Sequence, residues 1–287
     1  MQPGLAAIRR GWGVAAVACL LPAVAVVSGP VAAPTTSSTA ACIRDPGCHR
    51  TFVVAHRAKG FAAPENSRAA VARGVAAGVP VLDIDVRTSK DGEIFALHDG
   101  TLKRTTTSRE RIDHALSGEL ARALLDNGEP LPRFTELYEI ARGRAVLSVN
   151  FKVDVIERIA SWLAERGSFD DVIFFVNTGE EMRAAAYVKK RYPAMIVMVR
   201  LLDTRVTVDS TRAVFGGRLP EILHTDPVGA GHVSALRAHG VKVFMSALRA
   251  ERHLQPFRYF LVRSILGAQP DFVETDEPLA VMRKLGY

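Results

Sequence analysis

The sequence predicts an α/β fold, specifically a (β/α)8 TIM barrel with a β-hairpin excursion after strand 2. Eight β-rich segments alternate with helices or long connections along the 287 residues, an order that is typical of a parallel sheet covered by helices. A further β-like run, residues 94–98, follows the second strand after only seven residues. A parallel crossover needs about a dozen residues, so this run must turn back as a hairpin.

The predicted strands are short, and some, such as residues 172–176 (VIFFV), are hydrophobic throughout. A continuous apolar run indicates a strand that is buried on both faces. Ser67, Asp154 and Thr178 are predicted helix N-caps, and Gly78 is a predicted helix end. The eight predicted strands are residues 52–55, 81–86, 145–151, 172–176, 195–201, 221–225, 241–247 and 271–275.

The composition indicates a globular protein that binds anions. Hydrophobic residues make up 48% of the chain, charged residues make up 23%, and the formal net charge is +7. This charge favours phosphate esters or lipid head groups as partners. Nucleic acid is not a predicted partner, because the chain has no lysine-rich run with interleaved aromatic residues.

Residues 1–41 are predicted to be a signal peptide and a short Pro/Thr/Ser linker. Two arginines precede an apolar run, residues 11–27, which small residues follow. An uncleaved anchor helix is the alternative interpretation. Both interpretations predict a secreted or cell-envelope (periplasmic) protein, with one catalytic domain over residues 42–287. In an oxidising compartment Cys42 and Cys48 are expected to form a disulfide.

Chemically useful side chains concentrate near the first predicted strands. His56 follows the first strand, Asp83 and Asp85 lie on the second, and His98 ends the hairpin run. Residues i and i+2 of a strand share a face, so the two carboxylates point in one direction. Their repulsion favours a bound divalent cation. Two imidazoles beside a cation supply the base and the acid that phosphodiester cleavage needs.

The order of several short motifs resembles the glycerophosphodiester phosphodiesterase family, over roughly residues 50–287. The resemblance implies a (β/α)8 barrel that hydrolyses glycerophosphodiesters to sn-glycerol 3-phosphate and an alcohol. The motifs are HR (56–57), PENS (64–67), the strand with two acids (83–85), SKDG (89–92), LHD (97–99) and RTT (104–106), with weaker matches at 131–132, 150–152 and 274–278.

The resemblance also implies roles for individual residues. His56 and His98 are the expected acid and base catalysts. Arg57 is expected to clamp the phosphate through its planar guanidinium, and Lys152 is expected to contact a phosphate oxygen. The expected substrate is a small glycerophosphodiester or a lysolipid, with contact to a membrane surface as a further expectation. The sequence does not indicate the oligomeric state.

The predicted metal ligands are Asp83, Asp85, Asn150 and Glu65, with Ca²⁺ or Mg²⁺ as the cofactor. This set departs from the family pattern, which has Glu at the position of Asp83 and a carboxylate at that of Asn150. An amide oxygen can bind either cation but carries no charge, so weaker binding is expected. Glu65 is equally consistent with an orienting residue, an extra ligand or a helix cap.

Residues elsewhere in the chain have weaker predictions. His224 could line the mouth of the barrel, and Phe244 could form an apolar wall of the pocket. Glu274 and Asp276 are expected to close the barrel and form structural pairs, with a role in the pocket as the alternative. Residues 105–132 are predicted to be a covering insertion with a helix-like stretch at 116–125.

Two other functions remain open from the sequence. A phospholipase D or sphingomyelinase D-like lipase is consistent with the basic charge and the export signal. A barrel that binds phosphodiesters or lipids without cleaving them is consistent with the uncharged Asn150.

Overall fold

The computed structural model describes Met1, residues 35–202 and residues 205–287. The predicted signal peptide falls almost entirely on residues 2–34, which lie outside the described residues, so it stays a prediction. Within the described ranges, no helix combines the length and the hydrophobicity of a membrane span.

Eight parallel strands close into a barrel, and a ninth strand is antiparallel. The first barrel strand pairs with the second (Val54 with Val81) and with the last (Val54 with Glu274), which closes the sheet. The predicted TIM barrel is therefore confirmed. The strands are β1 (Phe52–Ala55), β2 (Val81–Thr88), β3 (Ile94–Ala96), β4 (Val146–Phe151), β5 (Val172–Val176), β6 (Ile196–Arg200), β7 (Ile222–Thr225), β8 (Lys242–Ser246) and β9 (Phe272–Thr275).

The antiparallel strand is the predicted hairpin excursion. β3 pairs with the end of β2 in the register Val86 with Ala96 and Thr88 with Ile94. The insertion that follows has a small apolar core of its own, which includes Leu102. Its helix is shorter than the stretch predicted at 116–125, because an antiparallel bridge joins Thr106 and Leu125.

Helices lie between the barrel strands as predicted. Ser67 and Thr178 accept hydrogen bonds from backbone N–H groups in the first turns of their helices, as predicted N-caps do. The cap predicted at Asp154 is wrong, because that helix begins at Ile156 and Val155 occupies the N-cap position. The helices are α1 (Thr36–Arg44), α2 (Arg68–Ala76), α3 (Ser117–Leu120), α4 (Phe134–Ala141), α5 (Ile156–Arg166), α6 (Gly179–Arg191), α7 (Val208–Val214), α8 (Ala230–Arg237), α9 (Leu248–Glu251), α10 (Phe257–Gly267) and α11 (Pro278–Leu285).

The alternation of side chains along the strands separates two apolar cores. Leu82 and Ile84 pack outward against the helices, whereas Val81 belongs to the cluster inside the barrel. Asp83 and Asp85 therefore have the inward direction of Val81. The predicted common direction of the two carboxylates follows from this register.

Helix α1 covers the amino-terminal end of the barrel. Ala40, Cys42 and Ile43 belong to the interior apolar cluster, and the predicted Cys42–Cys48 disulfide is present. The linker that was predicted up to Ala41 is instead helical from Thr36, because these small and apolar side chains are buried against the barrel. The barrel is therefore packed against residues that precede residue 42.

Candidate active site

A cavity of about 250 Å³ lies at the carboxyl ends of the strands. His56, His98, Asn150, Lys152 and Glu274 are among the residues that line it. Four of these five are predicted site residues. The carboxyl ends of the strands carry the chemistry in barrels of this class, so this cavity is the candidate active site.

The loop after β1 is held in an unusual backbone conformation. Arg57 and Ala58 have φ of 53° and 51°, a left-handed region that costs a non-glycine residue of order 1 kcal/mol. The Asn66 backbone N–H donates to the Arg57 carbonyl (2.8 Å). The buried Asn66 side chain also accepts from the Asp85 backbone N–H and donates to the Asp85 carboxylate, both at 3.2 Å. Asn66 thereby fixes the loop against β2.

His56 is hydrogen-bonded to a carboxylate that sequence reasoning treated as structural. Its Nδ1 lies 2.8 Å from Asp276 Oδ1. Burial opposes the charged imidazolium, but the Asp276 hydrogen bond and the charges of Glu274 and Asp83 outweigh burial and raise the pKa of His56. These contacts favour a proton on His56.

His98 lies in a contrasting environment. Its Nδ1 is 2.7 Å from Asp99 Oδ1, and Arg87 Nε donates to its carbonyl at 2.9 Å. Burial lowers the pKa of His98 despite the opposing hydrogen bond from Asp99. His98 is therefore suited to accept a proton at neutral pH.

His56, Asp83 and Glu274 form a cluster that could hold a metal ion, with ligand atoms within 4.8 Å of one another. Ser148 Oγ donates to Asp83 Oδ1 at 3.1 Å, whereas the buried Asp83 Oδ2 has no partner among the described residues. Burial, together with the negative charge of Asp85, raises the pKa of both carboxyl groups. A bound divalent cation would offset the cost of burying these carboxylates and the repulsion from nearby negative charge. The carboxylate oxygens of Asp83 and Glu274 therefore fit a divalent-cation site.

Asp85, predicted as a ligand, lies outside this cluster and faces cations instead. Lys152 Nζ is 3.1 Å from Asp85 Oδ1, and Arg57 Nε is 3.6 Å from Asp85 Oδ2. Asp85 therefore holds the two predicted phosphate-binding residues. Its opposite charge stabilises both of them, and of the two only Lys152 lines the cavity.

Asn150, another predicted ligand, has its amide oxygen engaged by protein donors. Lys152 Nζ donates to Asn150 Oδ1 at 3.1 Å, and Asn177 Nδ2 donates to the same atom at 2.9 Å. Of the three predicted carboxylate ligands, Asp83 alone belongs to the metal-capable cluster among the described residues. The structure places Asn150 on the cavity wall beside Lys152.

Glu65 lies within a set of three cations. Its carboxylate accepts from Arg57 (3.1 Å) and Arg104 (2.7 Å), and Lys59 Nζ is 3.5 Å away. Burial disfavours its charge, but the Arg104 hydrogen bond and these cations lower the pKa of Glu65 to about 2. Ser67, not Glu65, caps α2. Of the three interpretations of Glu65 (orienting residue, extra metal ligand or helix cap), these contacts match the orienting residue.

Sequence reasoning missed several residues of the cavity. Glu274 is not among them, because a pocket role was left open for it; it shares the inward face of β9 with Phe272, which belongs to the interior cluster. Arg200 lies at the end of a predicted strand, where barrel geometry would also place it in the mouth. Arg249 and Arg252 come from α9 and the residue after it, and no local pattern points to them.

The cavity combines positive charge with an aromatic floor. Lys152, Arg200, Arg249 and Arg252 line it, which favours an anionic ligand. His224 also lines it, and its ring centroid lies 4.7 Å from that of Phe244 below. Burial, with a contribution from Arg200, lowers the pKa of His224 to about 3. His224 is thus a neutral part of the floor.

Comparison of this sequence with known proteins identifies a matching family. A sequence model of the Glycerophosphoryl diester phosphodiesterase family matches residues 56–272. A glycerophosphodiester phosphodiesterase of Caldanaerobacter subterraneus subsp. tengcongensis is 30% identical over 113 residues, which cover 36% of this chain and 45% of that protein. The chain spans less than half the length of the curated relatives it matches.

Solved structures share the fold. A glycerophosphoryl diester phosphodiesterase of Parabacteroides distasonis has a TM-score of 0.71 at 21% identity, covering 87% of this chain and 91% of that one. An Oleispira antarctica phosphodiesterase, solved with the product sn-glycerol-3-phosphate, has a TM-score of 0.63 at 19% identity, covering 82% and 97%. Because the family match extends over most of the sequence, this chain belongs to the glycerophosphoryl diester phosphodiesterase family.

Proposed function

We propose that the protein is a metal-dependent phosphodiesterase that hydrolyses glycerophosphodiesters to sn-glycerol 3-phosphate and an alcohol. The observation that carries the proposal is the pair His56 and His98, which line one cationic cavity and each have Nδ1 hydrogen-bonded to a carboxylate. Family membership supports the substrate class. The product bound to the Oleispira antarctica phosphodiesterase agrees with it.

The contrasting surroundings of His56 and His98 support the following proposed proton transfers. His98 takes the proton of the glycerol hydroxyl next to the phosphate as that oxygen attacks phosphorus. The bond from phosphorus to the leaving alcohol breaks, and His56 gives its proton to the alcohol oxygen. A cyclic phosphate results, and water then opens it with the two histidines in exchanged roles. Asp99 and Asp276 orient the two rings through Nδ1.

The cationic side chains stabilise the charge that develops on the phosphoryl oxygens. Arg57 and Lys152, both held by Asp85, contact these oxygens in the proposed complex. Fixed cations in a site that excludes water cost little reorganisation during the reaction.

Asp83 and Glu274 would hold the divalent cation, Ca²⁺ or Mg²⁺. These hard cations prefer oxygen ligands, so within the cluster we assign the cation to the two carboxylates and proton transfer to His56. When bound, the cation supplies charge neutralisation at a phosphoryl oxygen. Without it, burial and the negative charge of Asp85 favour the neutral form of both carboxyl groups.

Product analysis on a panel of diesters tests the function. Glycerophosphocholine and glycerophosphoethanolamine are expected to release sn-glycerol 3-phosphate, whereas a diester without a neighbouring hydroxyl is expected to stay intact. His98→Ala should lower turnover by roughly 10²-fold or more, and His232→Ala, at an exposed histidine on α8, should not.

Two results would contradict the proposal. Full turnover by His98→Ala would remove the assigned base. Binding of glycerophosphocholine without product, even with added Ca²⁺ or Mg²⁺, would instead support a barrel that binds phosphodiesters without cleaving them.

We also propose that the enzyme acts outside the cytoplasm, as a secreted or envelope-associated protein. The Cys42–Cys48 disulfide is consistent with an oxidising compartment. Cell fractionation with a protease-accessibility assay tests this location. Recovery of the protein only in the cytosol would contradict it.

A further inference from the structure

Three arginines line the active-site cavity without a role in the cleavage proposed above. Arg200 ends β6, Arg249 lies on α9, and Arg252 directly follows that helix. All three line the cavity, and we call them the arginine wall. In the proposed complex Arg57 and Lys152 already contact the phosphoryl oxygens, so the arginine wall is left to meet another part of the substrate.

The order of the strands separates the arginine wall from the catalytic side chains. Around the barrel, three strands lie between β1 and β6 in either direction, so Arg200 approaches the cavity from the side opposite His56. In the same way, β8, which precedes Arg249 and Arg252, lies opposite β4, which precedes Lys152. A phosphodiester held at the histidines and Lys152 therefore has the arginine wall across the cavity from it.

Helix α9 is fixed in position relative to His56. The Glu251 carboxylate accepts hydrogen bonds from Thr275 Oγ1 and from the Asp276 backbone N–H, the latter at 2.9 Å. The Asp276 carboxylate in turn lies 2.8 Å from His56 Nδ1. The helix that carries Arg249 is thus tied to the residue that orients the catalytic imidazole, and its place at the cavity is set by the active site.

The charges of the arginine wall are not compensated by the fold. Within residues 35–202 and 205–287, the salt bridges and side-chain hydrogen bonds include none from Arg200, Arg249 or Arg252. Two carboxylates line the same cavity. Glu274 is buried in the cation cluster beside His56, and Asp226 is exposed and forms no salt bridge with a described residue. Unpaired cations in a cleft attract an anionic ligand.

The neighbour of Arg200 on β7 also leaves its charge uncompensated. His224 is the partner of Arg200 in the register of β6 and β7, and its side chain is buried. Burial, with a contribution from Arg200, lowers the pKa of His224 to about 3, so this ring is neutral. Its buried Nδ1 has no hydrogen-bond partner among the described residues. A buried polar atom without a partner is uncommon and is often explained by a functional role.

We propose that the arginine wall binds a carboxylate or a phosphate on the leaving alcohol, so the preferred substrates are glycerophosphodiesters with an anionic head group. Guanidinium groups bind both anions through paired hydrogen bonds. The glycerol part of the substrate is uncharged, so a negative charge beyond that of the phosphodiester can only lie on the leaving alcohol. This inference rests on the proposed function, because it assumes that the phosphodiester lies at His56 and His98.

The reaction on such a substrate is the one proposed above. In glycerophosphoserine, the glycerol hydroxyl gives its proton to His98 and bonds to phosphorus, and serine leaves through its hydroxyl oxygen with a proton from His56. Water then opens the cyclic phosphate to give sn-glycerol 3-phosphate. The arginine wall takes no part in these proton transfers. It contacts the carboxylate of the departing serine and thereby determines substrate preference.

Matched substrates test the anionic head group in the full-length protein. Glycerophosphoserine differs from glycerophosphoethanolamine by one carboxylate, and glycerophosphoglycerol phosphate differs from glycerophosphoglycerol by one terminal phosphate. In at least one pair, kcat/KM for consumption of the diester should be at least about ten-fold higher for the anionic member, because charge-assisted hydrogen bonds are the strong ones. The pair that shows the preference distinguishes a carboxylate from a phosphate. Equal kcat/KM within both pairs would overturn the proposal.

Substitutions in the arginine wall test which residues produce the preference. Arg249→Gln/Arg252→Gln removes two exposed cations, and Arg200→Gln removes the half-buried third. Each variant should lower the ratio of kcat/KM within the responding pair by at least about ten-fold. Arg218→Gln is the matched control, because Arg218 is exposed on the loop between α7 and β7, at the other end of the barrel. A ratio that is retained in both arginine-wall variants, or that falls equally in the control, would overturn the proposal.

The two levels of inference fail differently. If all four diesters are cleaved with equal kcat/KM within each pair, the proposed function stands and the anionic head group is overturned. If none of the four is cleaved, the proposed function fails and the substrate assignment fails with it.

Discussion

The substitution Glu65→Gln tests whether Glu65 is an orienting residue in a charge network. The carboxylate is buried, with its side chain 8% exposed, among Arg57, Arg104 and Lys59. Its pKa is lowered from 4.5 to about 2 in the folded protein. Each pH unit of such a difference is worth about 1.4 kcal/mol. The ionised carboxylate therefore contributes roughly 3 kcal/mol to the free energy of unfolding at neutral pH.

The sign of this contribution sets its pH dependence. Because the folded pKa of Glu65 is depressed, the contribution is complete above the unfolded pKa of 4.5 and is lost as the pH falls towards about 2. Urea unfolding should therefore show Glu65→Gln to be less stable than wild type by roughly 3 kcal/mol at pH 7. The difference should shrink to about 1.5 kcal/mol at pH 3.

A solvent-exposed ion pair provides the control. Asp113 accepts from Arg111 at 2.7 Å on the surface, and Asp113→Asn should leave the free energy of unfolding unchanged within error. A difference for Glu65→Gln that stays constant between pH 7 and pH 3 would refute the charge-network reasoning. So would a Gln variant that is as stable as wild type at pH 7.

Three further predictions follow from the same structure. Because the pKa of His98 is lowered, kcat/KM should rise with pH with a midpoint below 6.5, and Asp99→Asn should lower that midpoint further in a pH–rate profile; a midpoint above 6.5 would exclude His98 as the base. Tyr138→Phe removes a buried hydroxyl that donates at 2.7 Å to a carboxylate before β5, so urea unfolding should show a loss of about 1–3 kcal/mol; no loss would mean that this contact is not stabilising. Replacing Cys42 and Cys48 with serine opens a short loop with a sequence separation of 6, which should lower the free energy of unfolding by about 2 kcal/mol; unchanged stability would contradict a structural role for the bridge.

Local periodicity accounts for the parts of the fold that could be predicted. Strands such as residues 172–176 consist only of apolar residues, and this composition alone predicts that they are buried. The seven residues before Ile94 are too few for a crossover to a parallel strand, so a hairpin is predicted there. The direction of Asp83 and Asp85 follows from strand alternation. None of these features depends on distant parts of the chain, which is why the sequence predicts them.

The remaining features depend on contacts between distant segments. Glu274 meets His56 because β9 closes the barrel against β1, with Glu274 opposite Val54, and no local pattern indicates which side chains meet there. Helix α1 looks like a Pro/Thr/Ser linker, yet burial of Ile43 in the barrel stabilises it. Asp85 was a predicted ligand, but Lys152, from a different strand end, lies at its carboxylate.

We propose that a divalent cation held by Asp83 and Glu274 supports phosphodiester cleavage. The most direct measurement is the rate of sn-glycerol 3-phosphate release from glycerophosphocholine by EDTA-treated protein, titrated with Ca²⁺ or Mg²⁺. We expect saturable activation in the wild type and half-activation at a cation concentration at least about ten-fold higher in Glu274→Gln. Full activity after EDTA treatment, or unchanged half-activation in Glu274→Gln, would contradict it.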